Sequence, residues 1–403
     1  MMKNLHILAI LPNSLAWGSP AFLAGGGHIR TVEILKRWHK WGISVETLED
    51  IQHSVSLHSN APYFVHKIDL SLLGKNFRNR FLLFLIWGIK SITFLLKKIY
   101  FNKKFDVIIT TEGIALVPFG VLASKILRVP LVVSIQTTNC AISFSSAYKQ
   151  WRNRGWSILS SLLKTLGDRI TIGLLKKASV LICLSDPIAR MLKTMGIPEQ
   201  RIFINGMGID EKCSRDTLGS SIESKEYDTA FLGRVEREKG VDDLLEAWKI
   251  VIGKMKDAKL LIIGSGNYMG EAKTYVEKLG MNKNVRFTCY IVGDEKYRYL
   301  RKSKIFVFPT KAEEGWGLAV GEALACGLPV VCYDNPVLVS VFGNCKSVIF
   351  VQAGDVKKLA DAILWLLENE GLLNQYSKIS REYAKQFDWN EVARRELEIV
   401  KKL

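Results

Sequence analysis

Short apolar runs alternate along the chain with longer segments whose apolar residues recur every three or four positions. In one such segment Val241, Leu244, Leu245 and Trp248 fall on one face of a helix. The apolar runs have the length and the polar boundaries of buried strands. They cover residues 5–11, 107–109, 131–135, 180–184, 230–232, 260–263, 285–288, 305–308 and 330–332. Strands that alternate with helices in this way predict an α/β architecture of parallel sheets flanked by helices.

The chain is long enough for more than one domain. Its 403 residues exceed what a single hydrophobic core usually holds, so we expect two domains of similar size. A glycine-containing turn at residues 205–210 is followed by a polar, weakly patterned stretch at residues 214–227. Because turn residues and polar stretches are typical of connections, we place the domain boundary at this turn.

The segment at residues 313–331 carries two carboxylates, Glu314 and Glu322, around a glycine-containing turn from which a helix is predicted to start. The open N-terminus of this helix, at Gly317 and Leu318, presents backbone N–H groups and the positive end of the helix dipole to an anion. Glu322, one turn further on, can accept hydrogen bonds from vicinal hydroxyls. Glu314, in the loop, faces whatever is attached to the anion. The pattern indicates a site for a phosphate and a sugar.

This acidic segment resembles the E-x7-E motif of the retaining glycosyltransferases of family 4, with Glu314 and Glu322 at its two acidic positions. The run Glu-Ala-Leu-Ala-Cys-Gly-Leu-Pro-Val-Val, which starts at Glu322, continues the resemblance. A second segment, residues 231–245, is similar to the strand and the Gly-Arg and Lys-Gly pairs of the family. In it Arg234 and Lys239 occupy the positions that hold the donor diphosphate. Either segment alone is also typical of a solvated surface, but two in the family's order favour the site.

The resemblance implies a particular fold and domain arrangement. That fold is GT-B, an α/β architecture of two Rossmann-like domains whose parallel sheets face each other across a cleft, with a C-terminal helix that crosses back. The domains implied are an N-terminal acceptor-binding domain at residues 1–208, a C-terminal donor-binding domain at residues 209–378 and the crossing helix at residues 379–403. Residues 202–210 and 387–393 resemble the family's interdomain strand and final helix.

The resemblance also assigns roles. It implies Arg234, Lys239 and Glu314 as catalytic residues, with Glu322, Gly317, Leu318, Gly233, Gly26 and Gly27 as donor-binding residues. The two cations stabilise the departing diphosphate, where charge develops. Glu322 holds the ribose and Glu314 the transferred sugar, which keeps its anomeric configuration. No metal and no cofactor are expected, since the chain has no Asp-x-Asp triplet and two cations can neutralise the phosphates of a UDP- or GDP-sugar donor.

Three residues are candidates for the acceptor side. All six histidines lie within the first 66 residues, and His28 directly follows a run of three glycines. His28 therefore either reaches the ligands or merely begins the predicted helix at residues 29–41. Glu112 follows a predicted strand at its carboxyl end, where ligands bind in such sheets. Gln136 stands where many members of the family have a histidine, which favours a different acceptor or a different contact to the sugar.

The net charge of +17 and the sequence pI of about 9.5 indicate an anionic partner or surface. Basic residues flank the apolar stretch at residues 81–96, which contains Lys90 and is shorter than the ~20 apolar residues a membrane span requires. A position in the membrane interface fits this stretch and the similar one at residues 151–177. The alternative is a pair of core helices whose lysines face water. Nucleic acid is not expected as a partner, because no zinc spacing or single-faced arginine helix accompanies the charge.

The sequence therefore predicts a retaining glycosyltransferase whose acceptor is a lipid-linked or membrane-surface glycan. Seven cysteines without a Cys-x-x-Cys pair, and no recognisable signal peptide, place it in the cytoplasm, with peripheral contact to an anionic membrane. Two alternatives stay open. One is a glycosyltransferase that acts on a small soluble acceptor, and the other is a catalytically silent subunit that binds a partner.

The membrane hypothesis predicts that the protein sediments with anionic vesicles. Changing both Phe84 and Trp87 to Ser should weaken this binding about tenfold or more, since each apolar side chain withdrawn from the interface costs about 1.5–3 kcal/mol. Co-sedimentation with phosphatidylglycerol vesicles measures it, and phosphatidylcholine vesicles are the control. The hypothesis fails if the wild-type protein stays in the supernatant and the double variant keeps full activity.

Overall fold

The computed structural model describes residues 5–11, 26–51, 64–69, 90–97, 104–111, 116–137, 169–213, 225–288, 290–291 and 293–403. The chain forms two compact units. The first contains Met1–Gly206 together with Trp389–Leu403, and the second contains Met207–Asp388. Each unit has its own parallel sheet and is described by itself below.

The first unit contains a seven-stranded sheet in the order β3-β2-β1-β4-β5-β6-β7, with every neighbouring pair parallel. The strands are β1 His6–Leu11, β2 Ser44–Ile51, β3 Phe64–Asp69, β4 Val107–Thr111, β5 Leu131–Ile135, β6 Val180–Cys183 and β7 Ile202–Ile204. The helices are α1 Gly26–Lys40, α2 Leu116–Leu127 and α3 Asp186–Thr194, and residues 90–97 and 169–175 are also helical. The central strands β4, β5 and β6 are buried along their whole length, which is why their sequences are continuously apolar.

The second unit contains a six-stranded parallel sheet in the order β10-β9-β8-β11-β12-β13. The strands are β8 Tyr227–Leu232, β9 Leu260–Ile263, β10 Val285–Phe287, β11 Ser303–Phe308, β12 Val330–Tyr333 and β13 Val348–Val351. The helices are α4 Val241–Lys254, α5 Met269–Lys278, α6 Asp294–Arg301, α7 Leu318–Ala325, α8 Pro336–Phe342, α9 Val356–Leu367 and α10 Glu370–Ala384. The predicted apolar face of α4 is confirmed, since Leu244, Leu245 and Trp248 are fully buried.

The chain ends in the helix α11, Trp389–Lys401, which packs on α1 within the first unit. Arg30 of α1 is 1% exposed and donates hydrogen bonds to the carbonyl oxygens of Asn205 and Gly206, both at 2.9 Å. Its guanidinium also contacts Glu396 Oε2 of α11 at 2.5 Å. Asn205 donates to the same oxygen at 3.1 Å. A buried charge needs such partners, so this cluster joins α1, α11 and the end of the first sheet.

The predicted α/β architecture is confirmed, and so are the strands that the apolar runs indicated. Three strands were not predicted, namely β2, β3 and β13. In β2 three of the eight residues are charged, and one of these, Glu46, is buried. Its carboxylate is paired with Nε2 of His6 at 3.0 Å and with Nε2 of His66 at 2.5 Å. Because these partners come from neighbouring strands, the sequence alone made the segment look polar.

The last domain boundary differs from the predicted one at residue 379. Residues 379–388 belong to the second unit, and only Trp389–Leu403 join the first. The buried hydroxyl of Ser380 donates to the carbonyl oxygen of Leu328 at 3.0 Å and lies 2.8 Å from the hydroxyl of Ser347. Phe387 packs edge-on against Trp316. These contacts hold the end of α10 and the residues after it to the second sheet.

The two stretches predicted to lie at a membrane interface fall mostly outside the described residues. Of the first stretch the structure describes residues 90–96, which are helical, with Ser91 and Leu95 buried and Leu96 54% exposed. Of the second it describes residues 169–177. No helix in the described part of the chain is both long and apolar enough to cross a bilayer.

The Arg30 cluster predicts a large effect of one substitution. Changing Glu396 to Ala leaves the buried guanidinium without its carboxylate, which should cost about 3 kcal/mol of folding free energy. Glu398→Ala is the matched control, because Glu398 is exposed on the same helix and should change stability by no more than about 0.5 kcal/mol. Thermal and urea unfolding measure both variants. Equal losses in the two would show that the cluster does not stabilise the first unit.

Candidate functional site

Three loops meet at one edge of the second sheet. The strands β9, β8 and β11 are parallel neighbours, so the loops that follow them leave from the same edge. The loops are joined by backbone hydrogen bonds from Val235 N to Ser265 O at 3.0 Å and from Lys311 N to Glu238 O at 2.9 Å. Ligands bind at this edge in open α/β sheets.

Glycines allow the close contact between these loops. At Gly240, where φ is +73°, a Cβ atom would lie 1.8 Å from the carbonyl oxygen of Pro309. At Gly264, where φ is +138°, it would lie 1.9 Å from the carbonyl oxygen of Gly233. Any other residue at either position would both strain the backbone and push the loops apart. Gly233, predicted to bind the donor, therefore lies where the β8 and β9 loops touch.

Lys239 and Glu314, 75 residues apart in sequence, are brought together at this edge. Lys239 lies in a 3-10 turn, Arg237–Lys239, and its Nζ is 2.6 Å from Glu314 Oε1. The hydroxyl of Thr310 donates to the same oxygen at 2.8 Å. Only 13% of the Lys239 side chain and 11% of that of Glu314 are exposed. The pair is an ammonium and a carboxylate in a largely desolvated site, where charge interactions are stronger than in water.

Arg234 follows Gly233 in the β8 loop and is more open to solvent. Its side chain is 48% exposed, and its Nη1 forms an ion pair with Glu236 Oε2 at 2.6 Å. An exposed ion pair of this kind contributes little stability, so the guanidinium can be redirected to a ligand at small cost. The structure thus places both predicted cations in one loop, with Lys239 largely buried and Arg234 at the surface of the loop.

The helix α7 begins beside Glu314. Gly317 precedes it with φ +96°, and a Cβ there would lie 2.4 Å from Leu338 Cδ2, so this position requires glycine. No side chain of the described residues caps the N-terminus of α7. The backbone N–H groups that start at Leu318, together with the helix dipole, favour an anion at this point.

Glu322 lies one turn into α7 and is buried, with 7% of its side chain exposed. Lys296 of α6 approaches Glu322 Oε1 at 2.6 Å, and the hydroxyl of Tyr297 donates to the same oxygen at 3.3 Å. Burial first, and then the charge of Glu322, raise the pKa of Tyr297, so its hydroxyl stays protonated and donates. The carboxylate is therefore held by two donors from one neighbouring helix.

Three of these partners were not predicted from the sequence, namely Thr310, Lys296 and Tyr297. Thr310 had a usable signal, because it follows Pro309 at the carboxyl end of a buried strand. Lys296 and Tyr297 had none, since they stand in a charged helix that contacts Glu322 only in the folded unit.

The acceptor-side candidates are placed only in part. Gly26 and Gly27, which were predicted to bind the donor, form the first turn of α1 together with the acceptor candidate His28. The helix therefore starts before residue 29, where it was predicted to start. Glu112 lies outside the described residues. Gln136 follows β5 at its carboxyl end, and its amide donates to the hydroxyl of Thr31 in α1 at 3.4 Å. The donor role of Gly26 and Gly27 and the acceptor roles of His28, Glu112 and Gln136 stay predictions.

The donor-side arrangement combines several binding capacities in one unit. It contains two cations and an open helix N-terminus suited to a diphosphate, and two carboxylates suited to hydroxyl groups. Among the described residues, no cluster of His, Cys, Asp and Glu side chains has the geometry to hold a metal ion. Metal independence of the reaction stays a prediction.

Comparison with known proteins identifies the family. Residues 24–212 match the family described as Glycosyltransferase Family 4, and residues 218–385 match the one described as Glycosyl transferases group 1. The chain belongs to glycosyltransferase family 4. The resemblance inferred from the two sequence segments is thereby confirmed.

Similar curated proteins include the phosphatidyl-myo-inositol mannosyltransferase of Mycobacterium leprae, 30% identical over 190 residues, which are 47% of this chain and 50% of that protein. The alpha-monoglucosyldiacylglycerol synthase of Streptococcus pneumoniae is 25% identical over 245 residues, 58% of this chain and 53% of that protein. This chain spans about half the length of the curated relatives it matches.

Solved structures support the fold. Anabaena HepE in complex with UDP has a TM-score of 0.76 at 17% identity, with 99% of this chain and 100% of that chain covered. The sucrose-phosphate synthase of Thermosynechococcus elongatus has a TM-score of 0.75 at 18% identity, with 98% of each chain covered. At this identity the likeness shows the fold alone. It confirms the predicted GT-B class of two Rossmann-like domains.

The close contact between the loops predicts that Gly240→Ala destabilises the fold more than the same change at a glycine without such a contact. Gly280 is the matched control, because its φ is +66° and a Cβ there meets nothing within 4 Å. Backbone strain alone should cost Gly280→Ala about 1 kcal/mol. The clash with Pro309 should add about 1–3 kcal/mol to the cost of Gly240→Ala. Thermal unfolding of the two variants measures the difference, and equal losses would contradict the contact.

Proposed function

We propose that this protein transfers a sugar from a nucleotide-sugar donor to an acceptor hydroxyl, with retention at the anomeric carbon. The observation that carries the proposal is the contact between Lys239 and Glu314 beside the N-terminus of α7. It joins the basic and the acidic segments of the family's donor site in one place. Family membership supports the same activity.

In the proposed reaction the donor diphosphate lies at the N-terminus of α7, within reach of Lys239 and Arg234. The bond between the anomeric carbon and the diphosphate breaks, the acceptor oxygen forms the new bond, and the proton of its hydroxyl passes to the departing diphosphate oxygen. The negative charge that develops on the departing diphosphate is stabilised by the two cations and the helix N-terminus. The ammonium of Lys239 pairs with Glu314 in this structure. When the donor is bound, it contacts the phosphate in place of Glu314.

The freed carboxylate of Glu314 then faces the transferred sugar, and Glu322 accepts hydrogen bonds from the ribose of the donor. Neither step requires a metal ion, because the cations and the helix N-terminus supply the positive charge. The proposed donor is a UDP- or GDP-sugar. The complexes of Anabaena HepE with UDP and with UDP-glucose make UDP-glucose a suitable first probe.

The proposed acceptor is a lipid-linked or membrane-surface glycan, reached from the cytoplasmic face of an anionic membrane by peripheral contact. The net charge of +17 supports attraction to such a surface. The names of three relatives support lipid or envelope glycans, namely those of the phosphatidyl-myo-inositol mannosyltransferase, the alpha-monoglucosyldiacylglycerol synthase and the capsular polysaccharide glycosyltransferase CapM of Staphylococcus aureus.

A second candidate function is transfer to a small soluble acceptor. It is supported by the similarity to the 2-deoxystreptamine N-acetyl-D-glucosaminyltransferase of Niallia circulans, 25% identical over 151 residues, which are 38% of this chain and 39% of that protein. A silent partner-binding subunit is less well supported, because Arg234, Lys239, Glu314 and Glu322 are all present.

The donor site predicts that one class of nucleotide raises the melting temperature. We would screen UDP-, GDP-, ADP- and TDP-sugars by thermal shift and by donor hydrolysis, with and without EDTA. One base should stabilise the protein, and the shift should survive EDTA. Lys239→Met should lower kcat/KM for hydrolysis by about 100-fold, as expected for the loss of a charge that stabilises the leaving group.

Lys254→Met is the control for this experiment, because Lys254 is exposed at the end of α4. It should behave as the wild-type protein does. Absence of a shift and of hydrolysis with all four donor classes would contradict the proposed function and favour the silent subunit.

A further inference from the structure

Among the described residues, both side-chain donors to the carboxylate of Glu322 come from the helix α6. Lys296 Nζ and the Tyr297 hydroxyl, on consecutive residues of α6, both contact Oε1 of this carboxylate, at 2.6 and 3.3 Å. No hydrogen bond to Oε2 is found among the residues that the structure describes. The two oxygens of Glu322 are thus unequal, one held by protein donors and one still able to accept.

Glu322 needs these two donors because its carboxylate is buried. The Glu322 side chain is 7% exposed and that of Lys296 is 18% exposed, so both charges have lost most of their water. A carboxylate this deeply buried is costly unless it is paired and hydrogen-bonded. The ammonium of Lys296 also lies 4.8 Å from the centre of the Tyr297 ring, which helps to hold it against the carboxylate. Removing the ammonium would leave the buried carboxylate of Glu322 without a counter-charge and without its shorter contact.

We propose that Lys296 and Tyr297 are positioning residues, which fix Glu322 through Oε1 so that Oε2 accepts hydrogen bonds from vicinal hydroxyls of the donor. This inference rests on the proposed function, in which Glu322 contacts the ribose. It adds a consequence for specificity. A rigid acceptor discriminates between a ribose and a 2′-deoxyribose, because the deoxy sugar lacks one of the two hydroxyls and can make only one of the two hydrogen bonds to Oε2.

A loss of Lys296 should therefore weaken the preference for ribonucleotides over 2′-deoxyribonucleotides, in addition to any effect on the stability of the fold. In Lys296→Met the carboxylate loses the contact that fixes its Oε1 and can turn, so it accepts the ribose hydroxyls less well. Binding of a ribonucleotide then weakens, while binding of the 2′-deoxy form changes little. Lys296→Arg keeps a cationic donor and should restore most of the preference.

The probes are UDP, GDP and their 2′-deoxy forms, with affinities measured by isothermal titration calorimetry. The wild-type protein should prefer the ribo form of the base it binds by about tenfold, the usual effect of one hydrogen bond to a charged group. Lys296→Met should bind this ribonucleotide about tenfold more weakly and lose the preference. Tyr297→Phe, which removes only the hydroxyl, should reduce the preference by about threefold. In turnover with the matching nucleotide sugar, KM should rise more than kcat falls.

Lys302→Met is the matched control. Lys302 directly follows α6, but its ammonium pairs with Glu226 at 2.5 Å, so its loss should leave the preference unchanged. The inference is overturned if Lys296→Met and Tyr297→Phe both keep the wild-type affinity and preference. If the wild-type protein binds none of the nucleotides, the proposed function itself fails, and the inference fails with it. The two failures are therefore distinguishable.

Discussion

The donor-side unit depends on the matching of buried carboxylates with ammonium groups. Lys239 joins Glu314 at 2.6 Å, and Lys296 joins Glu322 at the same distance. All four side chains are largely buried, so each charge would be costly without its partner. Each ammonium group thus holds its carboxylate in one orientation inside the fold. In the proposed function the same two carboxylates face the transferred sugar and the ribose of the donor.

The backbone makes this charge matching possible. The first pair joins residues 75 positions apart, and they meet only because β8 and β11 are parallel neighbours with loops leaving the same edge. The glycines at Gly240 and Gly264 let the loops approach to contact distance. Gly317 does the same at the start of α7, where a side chain would meet Leu338. The conformational freedom of these glycines therefore shapes the candidate site, although none of them carries a functional group.

The sequence predicted those elements whose burial shows in their own residues, and missed those that depend on contacts with distant residues. Strands β4, β5 and β6 are buried on both faces and read as continuous apolar runs, so they were found. Strand β2 was missed because Glu46 is buried against histidines of the two neighbouring strands. The start of the segment that joins the first unit differs by ten residues, from 379 as the resemblance implied to Trp389, because a resemblance between motifs does not show on which sheet the end of α10 packs.

The sequence by itself determined the α/β class, the family and the residues that the family's motif supplies, among them Lys239, Glu314 and Glu322. These depend on local periodicity and on short motif spacings, which can be read directly from the linear sequence. The tertiary structure alone decided the ion pair of Lys239 with Glu314, the hold of Lys296 and Tyr297 on Glu322, and the buried contact of Arg30 with Glu396. The sequence does not show whether a charged residue is exposed to water or buried. Only the folded chain shows which opposite charge a buried one contacts.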